Sequence, residues 1–252
     1  MTGSPSATAS GPGTYDTSVS RHEQKGLGRF RMGAWAGFVG AVAAIGLPFA
    51  FLWLAAYNPG GIFTFDSTLL QYTNWLLIAG ALMFLVSLMM YRWGFSALRK
   101  EDSRFNVAIA LCWIGSIGFI LIIVVASYFL GSLDSIAGCI RGQPTQALSC
   151  LNSQSPLGAA TVVVGFWLGW LGSVGIVIGL FIGGGRIPSV LLTVGGVLYL
   201  LLLLVLVLPF ASLLTHVPGL SYIAILAPLF GILAPLFVLG GARRSVPSAA
   251  SA

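Results

Sequence analysis

Residues 165–183, GFWLGWLGSVGIVIGLFIG, form the stretch that decides the fold. Glycine recurs in this stretch every three or four residues, at Gly165, Gly169, Gly172, Gly175, Gly179 and Gly183. At about 100° per residue in a helix, these positions fall on one face and the bulky residues fall on the other. In water each glycine would weaken the helix by about 1 kcal/mol. In a bilayer a glycine face lets two helices approach closely, so the pattern predicts a membrane-spanning helix that packs through its glycines.

The composition of the whole chain indicates the same environment. Of 252 residues, 57% are hydrophobic and only 7% are charged, whereas about 25% charged residues is usual for soluble domains. Six apolar runs are long enough to cross about 30 Å of hydrocarbon. They cover approximately residues 33–57, 69–91, 105–130, 158–184, 188–214 and 221–241. None shows the alternation of an outer-membrane strand, so the sequence predicts an all-α polytopic membrane protein with a bundle of six transmembrane helices.

The basic residues are distributed unevenly between the two sides of such a bundle. With six spans, eleven of the 12 Lys and Arg residues fall on one side, and Arg141 alone falls on the other. The positive-inside rule then places both termini in the cytoplasm of a multi-pass plasma-membrane protein. The net charge of +6 follows from this bias, and no nucleic-acid partner is expected. Four basic residues before the first span could also favour anionic lipid headgroups, although topology alone explains them.

The remaining segments are two tails and one outer loop. Residues 1–24 are rich in Ser, Thr, Gly and Pro, which predicts a disordered cytoplasmic tail, and residues 245–252 resemble a shorter one. Between them lies the predicted six-helix domain, residues 25–244. No cleavable signal is expected, because the first apolar run is long and follows the tail.

The outer loop, residues 131–157, holds two cysteines, Cys139 and Cys150. Because the charge pattern puts this loop on the oxidising side, a disulfide is expected, and closing so short a loop would stabilise the fold by about 3 kcal/mol. A metal site is a weaker alternative, since no second Cys or His pair lies nearby in the sequence. Two free cysteines in a reducing habitat are a further alternative.

The sixth span repeats the sequence ILAPLF at residues 225–230 and 232–237. The repeat places Pro228 and Pro235 seven residues apart, on nearly one helix face, and each removes a backbone donor. The carbonyls freed in this way must be satisfied by neighbours or water. A kinked packing helix is one interpretation. A hinge for gating, or an opened carbonyl site, is the other.

The predicted core lacks the side chains that most membrane chemistry needs. All six acidic residues lie outside the spans, and the two histidines, His22 and His216, lie in the tail and in an outer turn. No haem, metal site, proton relay or other cofactor is therefore expected, and no nucleotide-binding or hydrolase motif is present. Cys112 is expected to be a small buried hydrophobe. Hydroxyls within the spans could bond to helix carbonyls or line a path for a small neutral solute; they are Ser87, Ser116, Ser127, Thr161, Ser173 and Thr193.

Three segments resemble a known family. They are GLGRFR at residues 26–31, GFSALRK at residues 94–100 with DSRF at 102–105, and the glycine-rich fourth span. Together they resemble an archaeal family of multi-spanning membrane proteins of unknown function, over most of the chain outside the tails. The resemblance implies an archaeal plasma membrane. Because the family has no established activity, it transfers no functional residues.

These observations favour a non-catalytic integral membrane protein over an enzyme. We expect a structural or accessory subunit that lies among membrane lipids and packs with itself, as a homo-oligomer, or with a partner membrane complex. The alternative is a small channel or transporter for a neutral solute, gated at Pro228 and Pro235. A lipid-modifying enzyme ranks third, since the sequence offers no convincing nucleophile. The glycine face of the fourth span is expected to pack on the first span, which has its own small-residue stripe at Gly33, Gly37 and Gly40.

Overall fold

A computed structural model describes residues 21–48, 50, 67–129, 153, 155–186, 189–215 and 226–244. These residues form helices and no strand, which confirms the all-helical prediction for this part of the chain. The helices are α1 (Arg21–Ala41), continued by a π-helical segment (Val42–Gly46), α2 (Ser67–Leu98), α3 (Phe105–Phe129), α4 (Pro156–Arg186), α5 (Val190–Thr215) and α6 (Ala227–Arg244).

Helices α2 to α5 are each long and apolar enough to cross a membrane. The apolar part of α6, Ala227–Ala242, is shorter. The segment GLGRFR is part of helix α1, which is amphipathic at its start: Leu27 and Phe30 are buried, whereas Arg29 is exposed. The helix begins at Arg21, within the residues for which the sequence predicted a tail.

The six helices form a closed ring. Each helix packs on its neighbours in sequence, and α6 packs on α1 to complete the circle. Packing between sequence neighbours is the arrangement that short connections favour, as between α2 and α3, which are separated only by residues 99–104. The ring leaves α2 and α4 in slight contact across the interior.

The glycine face of α4 packs on α3, so the expectation that it packs on α1 is wrong. A Cβ on Gly172 would collide with the Cα atom of Gly115 in α3, and a Cβ on Gly175 would lie 2.7 Å from the Cβ of Leu111. Helix α3 supplies two glycines of its own, Gly115 and Gly118, so backbone meets backbone along this seam. A glycine stripe predicts a close approach but not the partner helix, and here the neighbour in sequence is the partner.

The small residues of α1 pack on α2 and α6. A Cβ on Gly40 would lie 3.1 Å from the carbonyl oxygen of Gly80 in α2. A Cβ on Gly37 would lie 3.1 Å from the Ser87 hydroxyl oxygen, 3.1 Å from the Tyr199 hydroxyl oxygen in α5 and 3.8 Å from Cγ of Pro235 in α6. The stripe that the sequence predicted on the first span therefore meets α2, α5 and α6 in these contacts, and none of them is α4.

The π-helical segment Val42–Gly46 lies immediately before Pro48. Its defining bond runs from the N–H of Leu47 to the carbonyl of Val42, five residues back. This widened turn precedes the proline, and its Ala44 packs directly on the backbone of Gly80.

Apolar side chains also cover much of the outer surface of the ring. Helix α3 alone exposes seven of them: Val107, Trp113, Ile114, Ile117, Ile120, Val124 and Tyr128. On α2, exposed Tyr72 and Trp93 stand about 30 Å apart at 1.5 Å per residue, which matches the thickness of a bilayer core. Such a surface suits lipid rather than water.

Candidate functional site

The interior of the ring holds a cavity of about 230 Å³, here called the central cavity. Four of the six helices and the π-helical segment line it, and α6 contributes no lining residue. The residues are Ala44, Ile45, Leu77, Ala81, Phe84, Ser87, Leu88, Phe119, Ile122, Phe166, Gly169, Trp170, Ser173, Ile176, Tyr199, Leu202, Leu203 and Leu206. The wall is therefore almost wholly hydrocarbon and aromatic ring.

Three of the four polar side chains in the described wall donate to backbone carbonyls. Ser87 donates to the carbonyl of Gly33 in α1 at 2.8 Å, and Ser173 donates to Gly169 of its own helix at 3.1 Å. The Trp170 indole N–H donates to the carbonyl of Leu203 in α5 at 3.2 Å. Because these donors are in use, the cavity has little with which to hold water, which needs two to four polar partners.

An empty cavity of this size would carry a substantial cost. At about 24 cal/mol per Å³, a closed void of 230 Å³ would destabilise the fold by about 5 kcal/mol. Its lining atoms would lack dispersion partners on one side. An engineered apolar cavity of about 150 Å³ stays dry and takes up benzene, so a larger one of similar character is suited to an apolar occupant.

A cluster of buried aromatic rings closes the cavity at one end. This basal aromatic cluster comprises Phe30 of α1, Tyr91 and Phe95 of α2, and Phe105 of α3. The Phe95 ring centroid lies 5.1 Å from that of Phe30 and 5.7 Å from that of Phe105. Tyr199 joins the cluster to the cavity, because it lines the cavity and meets Tyr91 edge to face at 6.5 Å.

Two glycines make room for the basal aromatic cluster. A Cβ on Gly94 would collide with the ring of Phe30, and a Cβ on Gly179 would collide with the ring of Phe95. Gly179 therefore receives a side chain from α2 across the ring interior, unlike the four stripe glycines before it, which meet α3. Gly183, at the end of the stripe, would place a Cβ where no atom lies within 4 Å.

The Tyr91 hydroxyl is the exception among the buried polar groups. The side chain is fully buried, and its hydroxyl makes no hydrogen bond of standard geometry with a described residue, although the Tyr199 hydroxyl lies close to it. A buried hydroxyl without a partner is unfavourable by about 1–3 kcal/mol. Tyr91 is therefore a position where a buried polar group lacks a good hydrogen bond.

Arginines surround the end of the bundle that holds the basal aromatic cluster. The Arg92 guanidinium lies 4.0 Å from the ring centroid of Trp113, and Arg29 donates to the carbonyl of Trp93 at 2.8 Å. Cation–π contacts of this kind hold a charge at an aromatic surface. Paired Trp and Arg side chains are typical of the interface between lipid and water.

The predicted hinge prolines differ in position. Pro235 lies inside α6, buried against Gly37 of α1. Pro228 lies in the first turn of α6, where a missing N–H removes no bond of that helix. Only Pro235 can interrupt the hydrogen bonding of α6, and α6 does not border the central cavity.

Other predicted residues fall in two groups. Cys112 is buried, as expected, and Asn74 donates to the carbonyl of Ala126 in α3 at 2.9 Å, a bond between helices. Cys139, Cys150 and His216 lie outside the described residues, as do residues 1–20 and 245–252 of the predicted tails. Among the residues that are described, no group of three His, Cys, Asp or Glu side chains could hold a metal ion.

Sequence reasoning identified Ser87 and Ser173 as residues that could line a path, but it missed Tyr199 and Trp170 as parts of a cavity wall. Tyr199 did carry a signal, since it is the one polar ring in the otherwise aliphatic run of residues 197–208. Comparison of the chain with known proteins gave no match to a family model, to a curated protein or to a solved structure.

Proposed function

We propose that the protein is a non-catalytic membrane protein with six spans and both termini in the cytoplasm. It acts as a structural or accessory subunit, packing with itself or with a partner complex in the plasma membrane. The observation that supports this proposal is the use of interior polar groups: apart from the Tyr91 hydroxyl, the described ones join one helix to another or bond back to their own helix. Chemistry on a substrate needs polar groups that are not committed in this way.

The hydrogen bonds of the helices show this commitment. Asn74, Ser87 and Trp170 each donate to a backbone carbonyl of a different helix. A second group of hydroxyls donates to carbonyls four residues back in the same helix: Ser116, Ser127, Thr161 and Ser173. The bonds between helices stabilise helix pairs by about 0.6 kcal/mol each, and neither kind of bond forms a reactive site.

The basal aromatic cluster supports a packing role over a transport role. It fills the interior between the central cavity and the arginine-rich end with stacked and tilted rings in contact. Polar solutes cross membranes along polar or water-filled routes. The described interior offers an apolar cavity that ends on aromatic rings.

The proposed topology can be tested by labelling introduced cysteines. The starting variant has Cys139→Ser and Cys150→Ser, which leaves only buried Cys112. Ser103→Cys, exposed between α2 and α3, should react with a membrane-impermeant maleimide only in lysed cells. Ser153→Cys, exposed before α4, should react in intact cells. The reverse pattern would contradict the cytoplasmic placement of the termini.

The accessory role can be tested by isolating the tagged full chain from its native membranes in lipid nanodiscs. We expect additional copies or a partner membrane protein to migrate with it. The glycine face of α4 is occupied by α3, so a Gly172→Ala variant should lose stability rather than lose its partner. A well-folded single chain without companions would contradict the proposal.

The second candidate, a small transporter for a neutral solute, is favoured by one observation, the central cavity itself. It predicts solute uptake into liposomes that Pro235→Ala alters and that Pro228→Ala, in the first turn of α6, alters less. Absence of uptake for a range of small neutral solutes would exclude it.

A further inference from the structure

The central cavity is a slot that runs along the helices. On α2 its lining extends from Leu77 to Leu88, and on α4 from Phe166 to Ile176. At 1.5 Å per residue each of these stretches is about 15 Å long, which is about half the thickness of a bilayer core. The slot therefore has the length of the hydrocarbon in one leaflet.

The two ends of the slot differ. One end is closed by Tyr199 and the basal aromatic cluster. At the other end the wall includes Leu77, whose side chain is 37% exposed. A long molecule can therefore enter at the Leu77 end and stop against Tyr199.

The chemistry of the wall selects hydrocarbon. Phe84, Phe119 and Trp170 present aromatic rings, and the rest of the wall is chiefly aliphatic. None of the described residues in the wall is charged, and the Ser87, Ser173 and Trp170 donors are occupied by carbonyls. Water and polar solutes would find few partners, whereas methylene groups would restore the missing dispersion contacts.

We propose that the central cavity binds one hydrocarbon chain, inserted from the surrounding membrane with its tip against Tyr199. This hydrocarbon chain belongs either to a bilayer lipid or to a free single-chain amphiphile. The proposal rests on the membrane location proposed above and does not depend on the accessory role.

Photolabelling of the purified full chain tests this proposal. The probe is a fatty acid with a diazirine near the end of its chain. We expect saturable labelling of about one probe per protein, on cavity residues at the closed end such as Tyr199 and Ser87, and competition by unlabelled palmitate. Non-saturable labelling confined to outward residues such as Val124 and Leu204 would overturn the proposal.

A pair of serine variants supplies a matched control. Ser173 lines the cavity and Ser127 is exposed, yet each donates only to the carbonyl four residues back. Ser173→Leu should fill the slot and reduce cavity labelling by about tenfold or more, whereas Ser127→Leu should leave it unchanged. If Ser173→Leu does not fold, Ala81→Leu adds bulk from the opposite wall and should have the same effect. Equal labelling in the folded cavity variants and the control would contradict the proposal.

The source of the bound hydrocarbon chain can be identified from protein that has not been exposed to the probe. Extraction with organic solvent and mass spectrometry should find a retained bilayer lipid or a retained single-chain amphiphile, and either result supports a hydrocarbon ligand while identifying its source. No retained lipid together with no saturable labelling would overturn the proposal. Neither result depends on whether a partner protein migrates with this protein, so the accessory role is tested separately.

Discussion

Gly172 of α4 and Gly115 of α3 lie so close together that a Cβ on either residue would collide with the Cα atom of the other. This reciprocal contact is the tightest kind of helix packing, because no side chain separates the two backbones. One turn further along the seam, Gly118 meets the backbone of Gly165 and Gly169 in the same way. Helices α3 and α4 therefore behave as a paired unit within the ring.

The first prediction concerns this contact. Gly172→Ala should lower the free energy of unfolding by about 1–3 kcal/mol, because its methyl group must push α3 away. Gly183→Ala, in the same helix, should leave stability unchanged or raise it by up to about 1 kcal/mol, since its methyl group meets no atom within 4 Å and alanine favours helix. Unfolding by denaturing detergent measures both. Equal effects of the two substitutions would contradict the α3–α4 seam.

The second prediction concerns the buried Tyr91 hydroxyl. Tyr91→Phe should keep the stability or raise it by about 1 kcal/mol, because the variant removes a buried hydroxyl that lacks a good hydrogen bond and keeps the stacked ring. Thermal unfolding in detergent measures this change, with Tyr72→Phe on the exposed face of α2 as the control. A clear loss of stability for Tyr91→Phe alone would show that the hydroxyl has a partner.

The third prediction separates bonds between helices from bonds within one helix. Ser87→Ala should destabilise the protein by about 0.6–1.7 kcal/mol, because it removes the 2.8 Å bond from α2 to the Gly33 carbonyl. Ser127→Ala should have almost no effect, since the Ser127 hydroxyl bonds only to its own helix and is exposed. The same unfolding assay compares them. If the Ser87→Ala variant is as stable as the parent, this bond does not stabilise the packing of α1 on α2.

The fourth prediction concerns Cys139 and Cys150, which lie outside the described residues. A disulfide between them leaves Cys112 as the single free thiol of three cysteines. Unfolded, unreduced protein should therefore react with one equivalent of maleimide, and reduced protein should react with three. Three reactive thiols before reduction would show that the disulfide is absent.

The sequence predicted the helices well because the signal is local. Apolar runs of membrane length and the charges between them are enough to locate α2 to α5. The partner of the α4 glycines was not predictable, because a glycine stripe records only that some backbone comes close. Gly115 and Gly118 contact the α4 glycines, but they form no glycine stripe that would single them out in the isoleucine-rich third span.

The central cavity could not be predicted from the sequence, for a different reason. A cavity is formed where neighbouring side chains from several helices fail to fill the space between them, so no single segment encodes it. Trp170 illustrates this point. Its spacing places it opposite the glycines on α4, but only the packed ring shows that it bonds to Leu203 of α5 and borders an open volume.

The central claim is that this protein works by packing with other membrane chains, and subunit counting tests it most directly. The full chain, carrying one fluorophore per copy, is extracted from its native membranes into lipid nanodiscs, and single particles are photobleached. The account predicts particles with two or more bleaching steps, or particles with one step and a co-purified membrane protein. Particles with a single step, no companion protein and solute uptake after reconstitution would contradict it.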